Sequence, residues 1–254
     1  MTKENPRVVE PGGRRHADRS KHRQRQSRQN LPLIIIIVVV ALVIVGVFVI
    51  PQIQAANAPV GEIVTVTPFP RPQSNGLSAG NPNARIKIDV YEDFQCPYCR
   101  LYSDDVEVQL MKNEVAAGTV YYTYHHFLII DRATWDSPQK ESHQAANASM
   151  CAADQGRFWD YHDILFANQG GENTGSFTDP RLAAFARALG LDMTRFNDCF
   201  TANAHRAQID ADIARATQLG VSGTPSVFVN GVDVSPGQVP TYAQIQAAIA
   251  AASK

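Results

Sequence analysis

The chain has 254 residues, enough for one good-sized domain with appendages, and its 44% hydrophobic and 19% charged residues are ordinary for a globular protein. The net charge of −1 hides an asymmetry, because residues 1–30 carry nine Lys or Arg and three acidic residues, whereas the remainder carries 14 basic and 21 acidic residues. A basic stretch this short could bind nucleic acid or phospholipid. The apolar run that follows it favours a membrane and argues against nucleic acid.

Residues 31–50 predict a transmembrane signal anchor. Leu33 to Ile50 are eighteen residues without a polar side chain, and a helix of that length is roughly 27 Å long, close to the ~30 Å hydrocarbon thickness. The preceding Lys/Arg excess predicts that residues 1–30 form a cytoplasmic tail and that the rest lies outside the cytoplasmic membrane. Cleavage after Ala58 is the alternative, but the run is longer than a usual signal-peptide core. Either way, the soluble part lies in an oxidising compartment.

The next stretch, residues 51–83, is rich in Pro, Gly, Ser and Asn and has no apolar periodicity, which predicts a flexible linker. The folded domain is expected over residues 84–254. Its first strand is indicated by the alternating apolar residues of RIKIDVYEDF. The β-branched and aromatic run at residues 119–129 predicts the second strand.

Helical patterns then dominate, so that residues from about 130 to 222 are expected to form a helical insertion. The β signal returns in SVFVNGVDV, where Asn230-Gly231 predicts a two-residue hairpin turn. The run TYAQIQAAIAAA closes the chain as a helix. The order of strand, helix, strand, helical block, hairpin and helix predicts an α/β domain interrupted by helices.

Two of the four cysteines, Cys96 and Cys99, stand in DFQCPYCR, at the junction between the first strand and a helix. Pro97 suits the first turn of that helix. A structural zinc site usually needs four ligands, often two such pairs, and the other cysteines stand alone. A disulfide across two intervening residues would close a tiny loop and stabilise little. Two thiolates can also carry Cu(I), although none of the four Met lies beside Cys96.

Redox exchange has the most direct physical basis at this junction. Unpaired backbone N–H groups and the positive end of the helix dipole stabilise a thiolate at a helix N-terminus. There the pKa of a Cys falls from ~8.5 into the range ~3.5–7.5. Cys96 is therefore the expected nucleophile, exposed at the junction, and Cys99 the inward-pointing resolving thiol. A stabilised thiolate favours the reduced pair, which makes the disulfide a better oxidant.

A second motif, GVSGTPSVFVNG, places Thr224-Pro225 immediately before a strand. With the cysteine pair it resembles the thioredoxin superfamily, in which a cis-proline faces the disulfide. Pro-Tyr between the cysteines is typical of glutaredoxins, but those proteins lack a membrane segment and a helical insertion. The ordered motifs DFQCPYC, CAADQGRFWDYHDILF and SGTPSVFVNG are similar to DsbA-like thiol–disulfide oxidoreductases, notably membrane-tethered BdbD-type and actinobacterial forms, over about residues 80–252. The chain departs from the pattern at Val90, where some relatives bury an acidic residue six positions before the first cysteine.

The resemblance implies a thioredoxin-like fold with the helical insertion between the second core strand and the cis-proline loop. It implies a cis peptide bond before Pro225 and a substrate-binding backbone at Thr224. It further implies a structural disulfide between Cys151 and Cys199 that pins the insertion. Two buried free thiols are the alternative at those positions.

The implied function is an extracytoplasmic oxidase that donates the Cys96–Cys99 disulfide to folding exported proteins. Unfolded substrates would meet an apolar rim that includes Phe94 and Tyr98, and a membrane partner of the DsbB or vitamin K epoxide reductase type would reoxidise the pair. No cofactor, metal or nucleic acid is expected. A disulfide reductase or isomerase, and a non-enzymatic Cu(I)-binding accessory protein using the same thiols, are the alternatives.

Overall fold

The computed structural model describes residues 31–44, 46, 60–131, 135–136 and 140–254. The chain divides into two units, residues 1–57 and residues 58–254. In the first unit helix α1 (Leu31–Ile44) has 14 residues. Among the described helices, none combines the length and the apolar character that a membrane span requires. The predicted anchor runs to residue 50 and so ends outside the described residues, as does the whole of the predicted tail 1–30.

In the second unit, five strands form one mixed sheet. Their order across the sheet is β1-β3-β2-β4-β5. Strand β2 pairs in parallel with β3, and every other neighbouring pair is antiparallel. The strands are β1 (Ser78–Gly80), β2 (Ile86–Glu92), β3 (Val120–His126), β4 (Ser226–Val229) and β5 (Val232–Asp233).

The central strands β2 and β3 show the alternation of buried and less buried side chains that the sequence predicts. Along β3, every second side chain is buried, and Tyr122, Tyr124 and His126 all face the core with 0% exposure. Successive side chains of a strand point to opposite faces, so that His125 lies on the other face and pairs with Asp89 at 2.9 Å. The turn between β4 and β5 is Asn230-Gly231, and both residues have positive φ, as the predicted hairpin requires.

Helices cover the sheet and fill the region between β3 and β4. A helical segment from Pro97 to Val115 follows β2. It consists of α2 (Pro97–Tyr102), a π-helical stretch (Ser103–Glu107), α3 (Val108–Leu110) and a second π-helical stretch (Met111–Val115). The later helices are α4 (Glu141–Ala153), α5 (Phe158–Ala167), α6 (Asp179–Ala188), α7 (Met193–Thr201), α8 (Arg206–Gln218) and α9 (Tyr242–Ala252). Helices α4 to α8 fall within the range predicted for the insertion.

A disulfide between Cys151 on α4 and Cys199 on α7 joins two helices of the insertion. The two Cα atoms are 5.8 Å apart and the cysteines are separated by 48 positions in sequence. This is the pairing that the resemblance implies. Because Cys151 is buried in the core cluster, the bond ties α7 to the interior of the domain.

The predicted flexible linker, residues 51–83, needs correction from residue 60 onward. Asn168 exchanges two hydrogen bonds with the backbone of Val64, at 2.9 and 2.8 Å, and β1 joins the sheet. The apolar side chains Ile63, Val66 and Phe69 pack against the core. Prolines at positions 68, 70 and 72 interrupt this stretch, which is why composition alone indicated a tether. Residues 51–59 lie outside the described part of the chain.

The double variant Cys151→Ala/Cys199→Ala tests the contribution of the disulfide to stability. Loop-closure entropy over 48 positions predicts a loss of about 4 kcal/mol in the free energy of unfolding. Guanidinium unfolding of the full chain, with the unchanged protein as control, measures this loss. Equal unfolding midpoints and slopes for the two proteins would contradict the prediction.

Candidate functional site

The cysteine pair lies where β2 ends and α2 begins. Cys96 occupies the N-cap position of α2 with an extended backbone, and Pro97 follows in the first turn. The carbonyl of Cys96 accepts hydrogen bonds from the amides of Cys99 at 3.1 Å and Arg100 at 3.3 Å. Cys99 therefore sits one turn into the helix, on its inner side, where it is 0% exposed.

The loop before β4 faces the first cysteine. The Thr224–Pro225 peptide bond is cis, and the carbonyl oxygen of Thr224 lies 3.3 Å from Sγ of Cys96. Because β4 pairs directly with β2, the cis-proline loop and the cysteine pair meet at one edge of the sheet. The motifs that stand 128 positions apart in sequence thus form one site.

The surroundings of the two thiols are unequal. The pKa of Cys96 falls to about 6, chiefly through the hydrogen bond from Cys99, with further support from Thr224 and from the backbone amides of Cys99 and Tyr98. Burial raises the pKa of Cys99 well above its ordinary value, and the neighbouring Cys96 and Glu92 raise it further. At neutral pH the pair is therefore a thiolate at Cys96 and a protonated thiol at Cys99.

A shallow depression of about 360 Å³ opens over the first cysteine. Tyr98 is 59% exposed and belongs to the rim, as predicted. Cys96 itself is only 5% exposed, so the predicted exposed nucleophile is in fact at the floor of the depression. The lining residues are Cys96, Pro97, Tyr98, Ile129, Ile130, Glu172, Gly223 and Thr224.

Phe94 is not part of this rim, which corrects the prediction. It is 1% exposed and its ring packs between Tyr124 and Phe166, with centroid distances of 5.5 and 5.2 Å. The side chain turns inward because the strand ends before it and the chain bends toward α2. Leu101, by contrast, is 63% exposed beside Tyr98 on α2, and it adds apolar surface near the rim.

The loop that leads into the first cysteine is held by buried hydrogen bonds to the insertion. Asp93 accepts from Ser142 Oγ at 2.7 Å and from the amides of Gln95 and Ile130 at 2.9 and 3.0 Å. The side-chain amide nitrogen of Gln95, Nε2, donates to Asp131 at 2.9 Å and to Ser142 Oγ at 2.8 Å. Because Ser142 lies in the first turn of α4, the insertion helps to position the nucleophilic cysteine.

Glu92, the last residue of β2, is a candidate functional residue that the sequence patterns did not single out. It is 0% exposed, and no described residue donates a hydrogen bond to either of its carboxylate oxygens. Burial, followed by the charges of Glu107 and Cys96, raises the pKa of Glu92 well above its usual range. Because Glu92 and Cys99 also perturb each other, Glu92 can hold a proton beside the resolving thiol.

Two groups of described side chains place metal-ligand atoms within 4.8 Å of one another. One contains His205 and the two sulfurs of the disulfide, which are not thiolates. The other contains Glu92, Glu107 and His162. There the guanidinium of Arg71 already lies 2.6 Å from Glu107, so a fixed cation neutralises the group and disfavours a metal ion.

Comparison with known proteins identifies the family. A sequence-family profile described as thioredoxin matches residues 73–251, well over half of the chain. The chain belongs to the thioredoxin family. The reduced DsbA of Mycobacterium tuberculosis, a solved structure, is similar with a TM-score of 0.54 and 28% identity, over 75% of this chain and 90% of that one.

Two curated relatives are also similar. The probable disulfide bond formation protein D of Bacillus cereus is 26% identical over 165 residues, which cover 64% of this chain and 74% of that protein. The Na(+)/H(+) antiporter NhaA 3 of Salinispora tropica is 32% identical over 152 residues, 60% of this chain. The chain spans only 21% of that antiporter's length. The predicted resemblance to DsbA-like thiol–disulfide oxidoreductases is confirmed.

Alkylation of the reduced thioredoxin-like chain tests the inequality of its two thiols. Iodoacetamide is expected to modify Cys96 alone, with a rate that rises with pH around a midpoint of about 6. An unperturbed Cys would give a midpoint of ~8.5. Mass spectrometry of quenched samples measures both the site and the rate. Equal modification of Cys99, or a midpoint near that of a free Cys, would contradict the assignment.

Replacing Glu92 with Gln tests the buried carboxyl. The folded-state pKa of Glu92 is raised, so its protonated form contributes fully to the free energy of unfolding below the unfolded-state pKa of ~4.3. That contribution to stability is lost as pH rises through the folded-state pKa. Glu92→Gln should therefore match the unchanged reduced protein in stability at about pH 4 and exceed it at about pH 8. Urea unfolding at the two pH values measures the difference. A difference independent of pH would contradict the raised pKa.

Proposed function

We propose that this chain is an oxidase that acts outside the cytoplasmic membrane and donates its Cys96–Cys99 disulfide to exported proteins as they fold. The observation that carries the proposal is the position of Cys96 at the N-terminus of α2, beside the buried Cys99, an arrangement that lowers the pKa of Cys96. A pair that stabilises one thiolate favours its own reduced form, and its disulfide is correspondingly a stronger oxidant.

The exchange proceeds by two displacements at sulfur. A substrate thiolate attacks Sγ of Cys96, a mixed disulfide forms, and the bond from Cys96 to Cys99 breaks. A second substrate thiolate then attacks the substrate's own sulfur in the mixed disulfide, and Cys96 leaves as a thiolate. The substrate loses two electrons and gains a disulfide, and the cysteine pair gains the two electrons.

Glu92 supplies the proton that this direction requires. Cys99 leaves as a thiolate inside the core, where an uncompensated charge is costly. The raised pKa of Glu92 favours the protonated carboxyl, and that proton can pass to Cys99 as the sulfur bond breaks. In the reverse direction the same carboxyl accepts the proton when Cys99 attacks a mixed disulfide.

The surface around the first cysteine suits an extended, unfolded substrate. A second depression of about 360 Å³ adjoins the first and shares Tyr98 and the cis-proline loop with it. Its lining includes Gln238 and Val239. The two linings combine apolar side chains, such as Ile130 and Val239, with the loop residues Gly223 and Thr224, an arrangement that can bind main chain without demanding a particular sequence.

The proposed location and partners rest on the sequence of the N-terminal region. The apolar run at 33–50 behind a basic stretch supports a signal anchor with the domain outside, and the Cys151–Cys199 disulfide suits an oxidising compartment. Turnover then needs a membrane reoxidase, of the DsbB or vitamin K epoxide reductase type. Exported, unfolded proteins are the proposed substrates.

Equilibration of the full chain in glutathione buffers tests the direction of electron flow. An oxidase should have a reduction potential well above the approximately −270 mV of thioredoxin, toward the −120 mV region of strong oxidants. Quantifying the reduced and oxidised pair after acid quenching gives the potential. A value near that of thioredoxin would support a reductase instead. Stoichiometric Cu(I) binding without oxidation of reduced, unfolded protein would support the accessory-protein alternative.

Trapping the mixed disulfide tests the division of labour between the two cysteines. In Cys99→Ser the resolving thiol is absent, so disulfide-linked complexes with a reduced, unfolded protein should accumulate through Cys96. Cys96→Ser is the matched control and should form none. Non-reducing electrophoresis and peptide mapping identify the linkage. Complexes linked through Cys99 in the control would reverse the assigned roles.

A further inference from the structure

Arg71 is a buried cation that reaches the core from outside the thioredoxin-matched region. It lies in the docked segment, defined here as residues 60–71, and the family match begins only at residue 73. Its side chain is 2% exposed. The guanidinium is 2.6 Å from Glu107 and 2.7 Å from Asp163, and it stacks 5.0 Å from the ring of Trp159.

The docked segment holds this cation in a fixed position. The amide of Phe69 donates to Asp163 at 2.7 Å, and the carbonyl of Phe69 accepts from Arg71 at 2.7 Å. One carboxylate of α5 thus binds both the backbone and the guanidinium of the segment. The two ion pairs formed by Arg71 are buried, so they are little screened by solvent or salt.

Glu107, one of the two carboxylates paired with Arg71, belongs to an ionisable cluster beneath the cysteine pair. Atoms of Glu107, Glu92 and His162 lie within 4.8 Å of one another. Glu92 in turn perturbs Cys99 and is perturbed by Cys96. The titratable groups around this cluster are Cys99 and Tyr102 on α2, Glu107 on the first π-helical stretch, Tyr122 and Tyr124 on β3, and His162 and Asp163 on α5.

We propose that Arg71 is a positioning residue for the redox centre: by neutralising Glu107, it offsets the negative charge of the buried cluster and thereby stabilises the reduced cysteine pair. The proposal rests on thiol–disulfide exchange at that pair. The docked segment, which lies outside the family match, would then tune the oxidising strength of the domain.

The sign of the effect follows from the charges. Removing the cation leaves Glu107 without its positive partner in the cluster that contains Glu92, and the charge of Cys96 acts on Glu92. The added negative charge therefore disfavours the thiolate of Cys96. The reduced pair becomes less stable and the disulfide a weaker oxidant. Removing the charge of Glu107 while Arg71 remains has the opposite effect, because the cluster then carries one negative charge fewer and Arg71 still pairs with Asp163.

Four variants of the full chain test this. Arg71→Met should raise the pKa of Cys96 and reduce the equilibrium constant for oxidation of glutathione by roughly threefold or more. Glu107→Gln should shift both quantities in the opposite direction. The double variant Arg71→Met/Glu107→Gln should return toward the unchanged protein. Arg71→Lys keeps the charge and should lie closer to the unchanged protein than Arg71→Met does.

Arg181→Met is the matched control for docking. Arg181 also holds the docked segment, through a hydrogen bond to the carbonyl of Val60. Its other hydrogen bond goes to Ser176, so it contacts none of the cluster residues. This variant should leave the redox equilibrium unchanged.

The outcomes separate a charge effect from a structural one. Opposite shifts in the two single variants, with cancellation in the double variant, would support the proposal. A loss of thermal stability with an unchanged Cys96 pKa and redox equilibrium would overturn it, as would shifts of the same sign in both single variants. If Arg71→Met does not fold, Glu107→Gln still decides the sign. The absolute potential of the unchanged protein tests the oxidase proposal separately.

Discussion

The structure depends on the placement of β2 at the centre of the sheet. Parallel pairing with β3 on one side and antiparallel pairing with β4 on the other fix both ends of this strand. The end of this strand therefore positions both the cysteine pair and the side chain of Glu92. The cysteine pair emerges opposite the cis-proline loop, and Glu92 turns into the core beneath it. A shift of one residue in either pairing would exchange the two faces of the strand.

The interior of the domain contains several ionisable groups next to the cysteine pair. Glu92, Glu107 and His162 are each fully buried, and buried charges persist only where partners compensate them. Arg71 supplies that compensation for Glu107 and Asp163, whereas burial of Glu92 favours its protonated form. The acid–base properties of the cysteines and the stability of the core consequently depend on the same few side chains.

Much of the architecture could be predicted from local patterns. The alternation in β2 and β3, the Asn230-Gly231 turn and the position of Pro97 each reflect a local rule, and each is visible in the structure. The pairing of distant motifs came from the resemblance, because spacing alone does not say that Thr224 faces Cys96.

Other features of the site depend on tertiary contacts that leave no periodic signal. Glu92 shares the inner face of β2 with Val90. From sequence alone, however, a carboxyl at the end of a strand is usually predicted to be exposed to solvent. Phe94 is buried because the chain bends toward aromatic partners contributed by β3 and α5. Residues 60–83 resemble a linker in composition, and their docking depends on long-range contacts, among them the hydrogen bonds to Asn168 and Asp163 and the packing of apolar side chains against the core.

The disulfide between α4 and α7 means that this oxidoreductase must itself acquire a disulfide as it folds. Cys96 and Cys99 precede Cys151 and Cys199 in the chain, so a growing polypeptide completes its reactive pair before either thiol of the long-range bond can find its partner. The first bond is local and the second must wait for most of the insertion to be made. Each new copy of the protein thus itself needs a disulfide between cysteines 48 positions apart before its fold is complete.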